Sequence, residues 1–148
     1  MSLHDRIQQE LKAAMLAKEA DRLSTLRLLK SAIGYVQIEK KVEPLPDADV
    51  IVVIQREIKK RRDSIEQYRT AGRTELADKE AAEIPVLELF LPQPLSAAEL
   101  EELVRATVQE VGATSKKELG VVIKAVQAKA AGRAEGRVIS ALVAKILP

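Results

Sequence analysis

The chain has 148 residues, enough for one ordinary domain or two small ones. It contains no cysteine, a single histidine and few aromatic residues, whereas 31% of its residues are charged. This composition excludes a disulfide-stabilised fold and a zinc site made of the usual nitrogen and sulfur ligands. No apolar run approaches the roughly 18 residues that a membrane-spanning helix needs. We therefore expect a cytoplasmic helical protein that is neither exported nor embedded in a membrane.

Helical periodicity dominates the first 90 residues, where apolar side chains recur at spacings of three and four. Breaks near Glu19, at residues 44–46 and at Gly72 divide this region into about four helices. Asp47 is expected to cap the third helix, and Gly72 to end it in a left-handed conformation. Pro85 lies inside the fourth helix and should bend or split it.

The strongest boundary in the chain is Leu91-Pro-Gln-Pro-Leu95, because two prolines so close together cannot continue a helix and stiffen the connection. We place the junction between two domains there. The prediction is an all-α fold with an N-terminal helical domain of about four helices, residues 1–93, followed by a C-terminal three-helix domain, residues 94–148.

Two capping boxes mark helix starts in the C-terminal domain. Ser96-Ala-Ala-Glu99 should open the fifth helix, and Ser115-Lys-Lys-Glu118 should open the sixth. Gly132-Arg-Ala-Glu-Gly136 then separates the sixth helix from the last one.

The sequence offers no catalytic constellation. His4 is the only histidine and falls in a first turn, so no Ser-His or Cys-His pair has a base. The carboxylates alternate with Lys and Arg at helical spacing, which is typical of a solvated surface. Neither glycine-rich phosphate-loop pattern occurs. We expect no catalytic residue, no metal and no cofactor.

A conspicuous basic run, Arg56 to Arg62, could suggest a nucleic-acid patch. Wrapped at 100° per residue, it divides: Arg56, Lys59 and Lys60 fall opposite the apolar stripe of their helix, whereas Arg61 lies within it. We expect Arg61 to pack its stem while its head reaches solvent or a carboxylate. The exposed trio is a possible secondary basic patch, although such a set is more often a solvated face.

The C-terminal hairpin is the better candidate for a polyanion, because residues from Gly112 onward include seven basic and two acidic groups, a net charge of +5. Lys117 and Lys124 lie opposite the apolar face of the sixth helix. The turn from Gly132 to Arg137 has glycines that let backbone approach a phosphate. The alternative is an ordinary helix–helix corner, with Gly132 as a cap and Gly136 easing close packing. Few aromatics argue against readout by stacking.

Several stretches taken together resemble the YqeY family, which is related to the tail of the B subunit of the bacterial glutamyl-tRNA(Gln) amidotransferase. The resemblance covers nearly the whole chain, and it depends on the order and spacing of the motifs. They are Leu26-Arg-Leu-Leu-Lys30, Arg56-Glu-Ile-Lys-Lys-Arg-Arg-Asp-Ser64, Ala71-Gly-Arg73, Lys79-Glu80, Glu83-Ile84, Leu91-Pro-Gln-Pro-Leu95 and Gly132-Arg-Ala-Glu-Gly136 followed by Val143.

The resemblance implies a tRNA-binding accessory protein without catalysis of its own, with an aminoacyl-tRNA synthetase or an amidotransferase as a protein partner. The family's label of carbon–nitrogen ligase activity with glutamine as amide donor would be inherited from relatives. Relatives often have Asn-Pro where this chain has Glu135-Gly136. The alternative function is a helical protein–protein adaptor. Carried onto this sequence, the tRNA-facing candidates are Lys116, Lys117, Gly120, Lys124, Gly132, Arg133, Gly136 and Arg137.

Overall fold

The computed structural model describes all 148 residues, and helix is its only regular secondary structure. The predicted all-helical class is confirmed. No helix is both long enough and apolar enough to cross a bilayer. The α-helices are α1 (Leu3–Leu16), α2 (Ala20–Lys40), α3 (Asp47–Thr70), α4 (Thr74–Glu88), α5 (Ala97–Val111), α6 (Leu119–Ala130) and α7 (Gly136–Ile146), with a short 3-10 turn over Lys116–Glu118 before α6.

Residues 1–91 form one compact unit that contains α1 to α4. In it α3 packs along α4, α1 packs along α2, and α2 also contacts both α3 and α4. Each helix buries one stripe of aliphatic side chains, as expected when apolar residues recur at intervals of three and four along a helix. The most completely buried members of this core are Ile7, Leu26, Leu29, Leu45, Val50, Ile54 and Leu87.

The start of α3 differs from the prediction. Asp47 is the first residue of the helix instead of its cap, and Pro46 precedes it in an extended conformation. The Asp47 carboxylate accepts a hydrogen bond from the Leu3 amide at 2.9 Å. This acidic side chain therefore satisfies an amide in the first turn of another helix, where an anion is favourable because those amides lack partners within the helix.

Two local predictions in this unit have opposite outcomes. Gly72 follows α3 in the left-handed region, with a φ of 74°, so the predicted helix stop is confirmed. By contrast, α4 runs continuously from Thr74 to Glu88 through Pro85, so the split, one of the two effects predicted for this proline, does not occur. Pro85 has no amide hydrogen to donate to the carbonyl of Ala81, so the helix lacks that one hydrogen bond and continues beyond it, where the Leu89 amide donates to the Pro85 carbonyl.

Arg61 is the buried charge of this unit. Its side chain retains 8% of its exposure, and its Nε donates to Glu83 Oε2 at 3.0 Å while Nη1 donates to the Glu57 carbonyl at 3.1 Å. The expectation that Arg61 packs its stem and meets a carboxylate is confirmed. The pair ties α3 to α4 and satisfies both charges, which matters because a buried charge without a partner is costly.

We predict that Arg61→Ala lowers the free energy of unfolding by about 3 kcal/mol, because it leaves the Glu83 carboxylate without its partner and removes a packed stem. Arg56→Ala is the matched control on the exposed side of the same helix and should change stability by less than about 0.5 kcal/mol. Urea unfolding followed by circular dichroism measures both. Equal stability of the two variants would contradict a structural role for Arg61.

Residues 92–148 form the second compact unit, which contains α5, α6 and α7. Each of these helices packs against the other two. The small core is aliphatic throughout, and Leu95 packs against it from the segment before α5. Its fully buried members are Val104, Val122, Val126, Ile139 and Val143.

Candidate nucleic-acid interface

The start of α6 is fixed by the second predicted capping box, which is confirmed. Ser115 Oγ accepts from the Lys117 amide at 3.4 Å, and Glu118 Oε2 accepts from the Ser115 amide at 3.5 Å and from the Thr114 amide at 2.6 Å. The box opens a 3-10 turn, and α6 proper begins after it at Leu119. Lys116 and Lys117 are therefore held in a tight, well-capped turn at the start of the helix.

The rotation of α6 about its own axis follows from its core. Val122, Val126 and Ala130 are buried, so the opposite side of the helix faces outward. Lys124 is exposed on that side, seven residues or about two helical turns from the exposed Lys117. We call the outward residues Lys116, Lys117, Gly120, Val121 and Lys124 the lysine face.

The three lysines of the lysine face have no ion-pair partner. The ion pairs of the second unit join Arg105 to Glu101, Lys129 to Glu110, and Arg137 to Glu135, and none of them includes Lys116, Lys117 or Lys124. Unpaired ammonium groups keep their full charge available to a phosphate.

Gly120 lies between the lysines in the first turns of α6. A methyl group built there would meet no other atom within 4 Å, so the fold itself does not require glycine at this position. Because glycine has no side chain, the surface between Lys117 and Lys124 forms a shallow depression. Val121 beside it keeps 58% of its exposure and was not among the residues predicted for this surface.

The glycine turn that follows α6 makes several contacts within the second unit. Ala131 and Gly132 both have positive φ, 48° and 86°, and reverse the chain direction. Arg133 Nε donates to the Gln93 carbonyl at 2.8 Å, and the Leu95 amide donates to the Arg133 carbonyl at 2.8 Å. Arg133 thus fastens the proline-rich segment before α5 onto the turn between α6 and α7. One of its donors is committed to the fold.

The other predicted residues of the turn also have structural roles. Gly136 is the first residue of α7, and a methyl group there would approach Nε2 of the exposed Gln127 side chain to 3.2 Å, which a small shift of that side chain would relieve. Arg137 Nε lies 3.2 Å from Glu135 Oε2, which partly neutralises it. Glu135 also stands at the N-cap position of α7, where its negative charge would repel a phosphate.

The secondary basic patch is largely neutralised. Lys59 pairs with Asp63 at 3.2 Å, and Lys60 pairs with Glu57 at 3.2 Å. Arg56 is exposed and takes part in no such pair. The secondary basic patch has one unpaired cation, whereas the lysine face has three. The patch should therefore attract a polyanion less strongly.

The first capping box shows how the segment before α5 is stabilised. Glu99 donates its amide to Ser96 Oγ at 3.1 Å, and its side chain accepts from the Ser96 amide at 3.0 Å. Hydrogen bonds from the backbone and hydroxyl of Ser96 lower the pKa of Glu99, and the positive charge of Arg133 lowers it further. The ionised carboxylate is thus the form that the folded state favours.

We predict that the carboxyl group of Glu99 titrates below its ordinary pKa of 4.5 and that Ser96→Ala moves the midpoint back toward that value. Because the folded state lowers the pKa, the stabilisation from Glu99 is present above the unfolded pKa and is lost as pH falls through the folded one. A side-chain carboxyl NMR titration measures the midpoint, with Ser31→Ala as the control. An unshifted midpoint in the wild-type chain would refute this cap.

Comparison with known proteins decides the family. The family model described as a Yqey-like protein matches residues 4–147, almost the full length of the chain. The chain belongs to the YqeY family. The resemblance inferred from the motifs is confirmed, although membership by itself assigns no ligand.

Among the proteins similar to this chain are three from fungi. The chain is 40% identical over 91 residues to an uncharacterized protein of Schizosaccharomyces pombe, an alignment that covers 61% of this chain and 72% of the relative. It is 31% identical over 132 residues to altered inheritance of mitochondria protein 41, mitochondrial, of Pyrenophora tritici-repentis, covering 87% and 71%. The protein of the same name in Kluyveromyces lactis is 33% identical over 123 residues, covering 83% and 66%.

The predicted cytoplasmic location is wrong by this comparison, because the named relatives are mitochondrial proteins. The prediction rested on the missing cysteines and the missing apolar segment. A chain without cysteine and without a membrane-spanning segment fits any reducing, aqueous compartment. These two features therefore do not distinguish the cytoplasm from another such compartment.

Proposed function

We propose that this YqeY protein is a tRNA-binding accessory protein, and that the lysine face of the second unit makes the contact. The observation that carries the proposal is the set of three exposed, unpaired lysines on the capped start of α6. Binding to nucleic acid is driven largely by release of counterions from neutralised phosphates, which requires cations that are not already paired within the protein.

The distribution of charge supports the same surface. Residues from Gly112 onward carry a net charge of +5, whereas α5 of the same unit carries four acidic residues and one basic residue. The second unit thus has a positive segment that contains the lysine face and a negative helix that would repel phosphate. Such a division favours one orientation of a polyanion over others.

The shape of the lysine face favours a backbone contact over base stacking. Gly120 leaves space between two lysines, and no aromatic side chain lies on α6. Proteins that read unpaired bases usually supply aromatic platforms. A folded RNA recognised by its shape and its phosphates, as the family resemblance implies for tRNA, fits these features.

Absence of catalysis is part of the proposal. The single histidine, His4, lies in the first turn of α1 with its Nδ1 3.5 Å from Asp5. Ser96 and Ser115 use their hydroxyls as helix caps. In this proposal a carbon–nitrogen ligase reaction belongs to a partner, an amidotransferase or an aminoacyl-tRNA synthetase, and this protein supplies the tRNA contact.

The finer division of the chain belongs to the same proposal. We suggest that the four helices before residue 92 and the three after it are separate domains, since each unit has an aliphatic core of its own. The tRNA contact then belongs to the three-helix domain.

We predict that Lys116→Ala, Lys117→Ala and Lys124→Ala together weaken tRNA binding roughly tenfold or more and reduce the salt slope of log K by about one per lysine. The matched control replaces Arg56, Lys59 and Lys60 with Ala, which removes the same net charge from the first unit. Arg133 is left unchanged, because it also fastens residue 93. Filter binding across a salt series measures both variants, and circular dichroism verifies their helicity.

Two results would contradict the proposal. The first is failure of the wild-type chain to bind tRNA at about 50 mM salt, where phosphate contacts are strong. The second is an equal loss of affinity in the two triple variants, which would show that total charge matters and the lysine face does not.

A further inference from the structure

The centre of the lysine face carries no charge. Gly120 lies three residues after Lys117 and four before Lys124, and Val121 beside it retains 58% of its exposure. Residues at these spacings are neighbours on a helix surface, so ammonium groups flank a bare stretch of backbone and one apolar side chain. A ligand that fits the lysine face therefore presents negative groups on either side of an apolar part.

Gly120 has no role in the fold that would explain a glycine. Its φ is not in the positive region that favours glycine, and a methyl group built there would meet no atom within 4 Å. Glycine is unfavourable within a helix, because it loses more conformational freedom on folding than other residues. Its remaining advantage is the close approach to the helix backbone that it allows. Gly120 thus marks the point where a ligand can come nearest to α6.

Val121 suits the sugar of a nucleic-acid backbone. A single exposed valine is ordinary on a protein surface. This valine lies between unpaired lysines, four residues after Lys117 and three before Lys124, where a surface for phosphate alone would gain nothing from an apolar side chain. In a nucleic-acid strand, phosphates alternate with sugar rings that carry carbon–hydrogen groups. The order of charged and apolar groups on the lysine face indicates a sugar between phosphates.

The packing of α6 limits the kind of groove that it can enter. It packs against both α5 and α7, and the half-buried Ile123 and Ala125 flank its outward strip, so only that strip protrudes. The major groove of B-DNA is about 8.5 Å deep, which requires a helix that stands clear of its neighbours. The minor groove of B-DNA is about 6 Å wide, narrower than a helix with its side chains. An A-form RNA helix has a wide, shallow minor groove that displays riboses, and the lysine face fits that groove.

We propose that the lysine face docks in the minor groove of a base-paired arm of RNA, with Val121 and the backbone at Gly120 against riboses and the lysines on phosphates at the two rims. Lys117 and Lys124 are roughly 10 Å apart along the helix axis, so their ammonium groups reach to either side of the ribose contact. The inference rests on the proposed tRNA contact and names the part of the tRNA that is touched. Shape and sugar, and not base sequence, then select the ligand.

The test compares three fluorescent ligands of the full chain: an RNA duplex of about 16 base pairs, the DNA duplex of the same sequence, and one RNA strand alone. Fluorescence anisotropy should show the RNA duplex binding roughly tenfold or more tightly than either of the others. Val121→Ser should weaken duplex binding about fivefold at every salt concentration and leave the salt slope unchanged, because it removes an apolar contact and no charge. Val52→Ser, at an exposed valine of α3, is the matched control and should have no effect.

A second variant, Gly120→Leu, blocks close approach to α6 at an exposed position with open space around it. Circular dichroism should report intact helicity, whereas affinity for the RNA duplex should fall roughly tenfold.

Two results would overturn the minor-groove contact: a DNA duplex or single strand that binds as tightly as the RNA duplex, or wild-type affinity for the RNA duplex in either α6 variant. If tRNA binding still depended on the three lysines, the proposed function would stand without this inference. Failure of the wild-type chain to bind tRNA at about 50 mM salt would overturn both.

Discussion

Burial of one aliphatic stripe on α6 is the constraint on which the proposed site depends. Val122 and Val126 are completely buried in the core of the second unit, and they set the rotation of a helix only twelve residues long. With that rotation fixed, Lys124 must project outward, and Lys117 is exposed in the 3-10 turn that precedes the helix. The chemistry of the lysine face is therefore a consequence of core packing, and no dedicated hydrogen bonds are needed to hold the ammonium groups in place.

The turns at the two ends of α6 differ in whether their side chains are used in contacts within the fold. Capping at Ser115 stabilises the start of α6 without using a lysine side chain. Arg133 and Gly136, by contrast, are engaged in contacts within the second unit, through the Gln93 carbonyl and the close approach of Gln127. The turn thus makes the contacts of a structural corner, whereas the unpaired charges lie on the helix before it.

Features that depend on neighbours in sequence were the predictable ones. The two capping boxes, the left-handed stop at Gly72 and the buried Arg61 follow from spacing alone. Contacts between distant residues were not predictable: Asp47 accepts from an amide 44 residues away, and Arg133 reaches a carbonyl 40 residues away. For each residue the sequence suggested a role within its own turn. In the structure, its side chain instead forms a hydrogen bond with a residue distant in sequence.

Charge pairing and the outer face of α2 show the same limit. Sequence spacing placed Lys59 and Lys60 on an exposed side, but only the structure shows that each meets a carboxylate. In α2, spacing predicted the buried side that contains Leu26, Leu29 and Ile33, but only the structure shows that Leu28 and Ile38 stay exposed on the other side. The motifs were sufficient to predict the family of the chain, but they did not indicate that the named relatives are mitochondrial.

The most direct test of the account is an NMR footprint of tRNA on the full isotope-labelled chain. If the lysine face makes the contact, amide shifts on titration with tRNA will concentrate between Lys116 and Lys124, and α2 and α3 will remain unperturbed. Shifts concentrated between Arg56 and Lys60, or along α2, would contradict the assignment of the contact to the second unit.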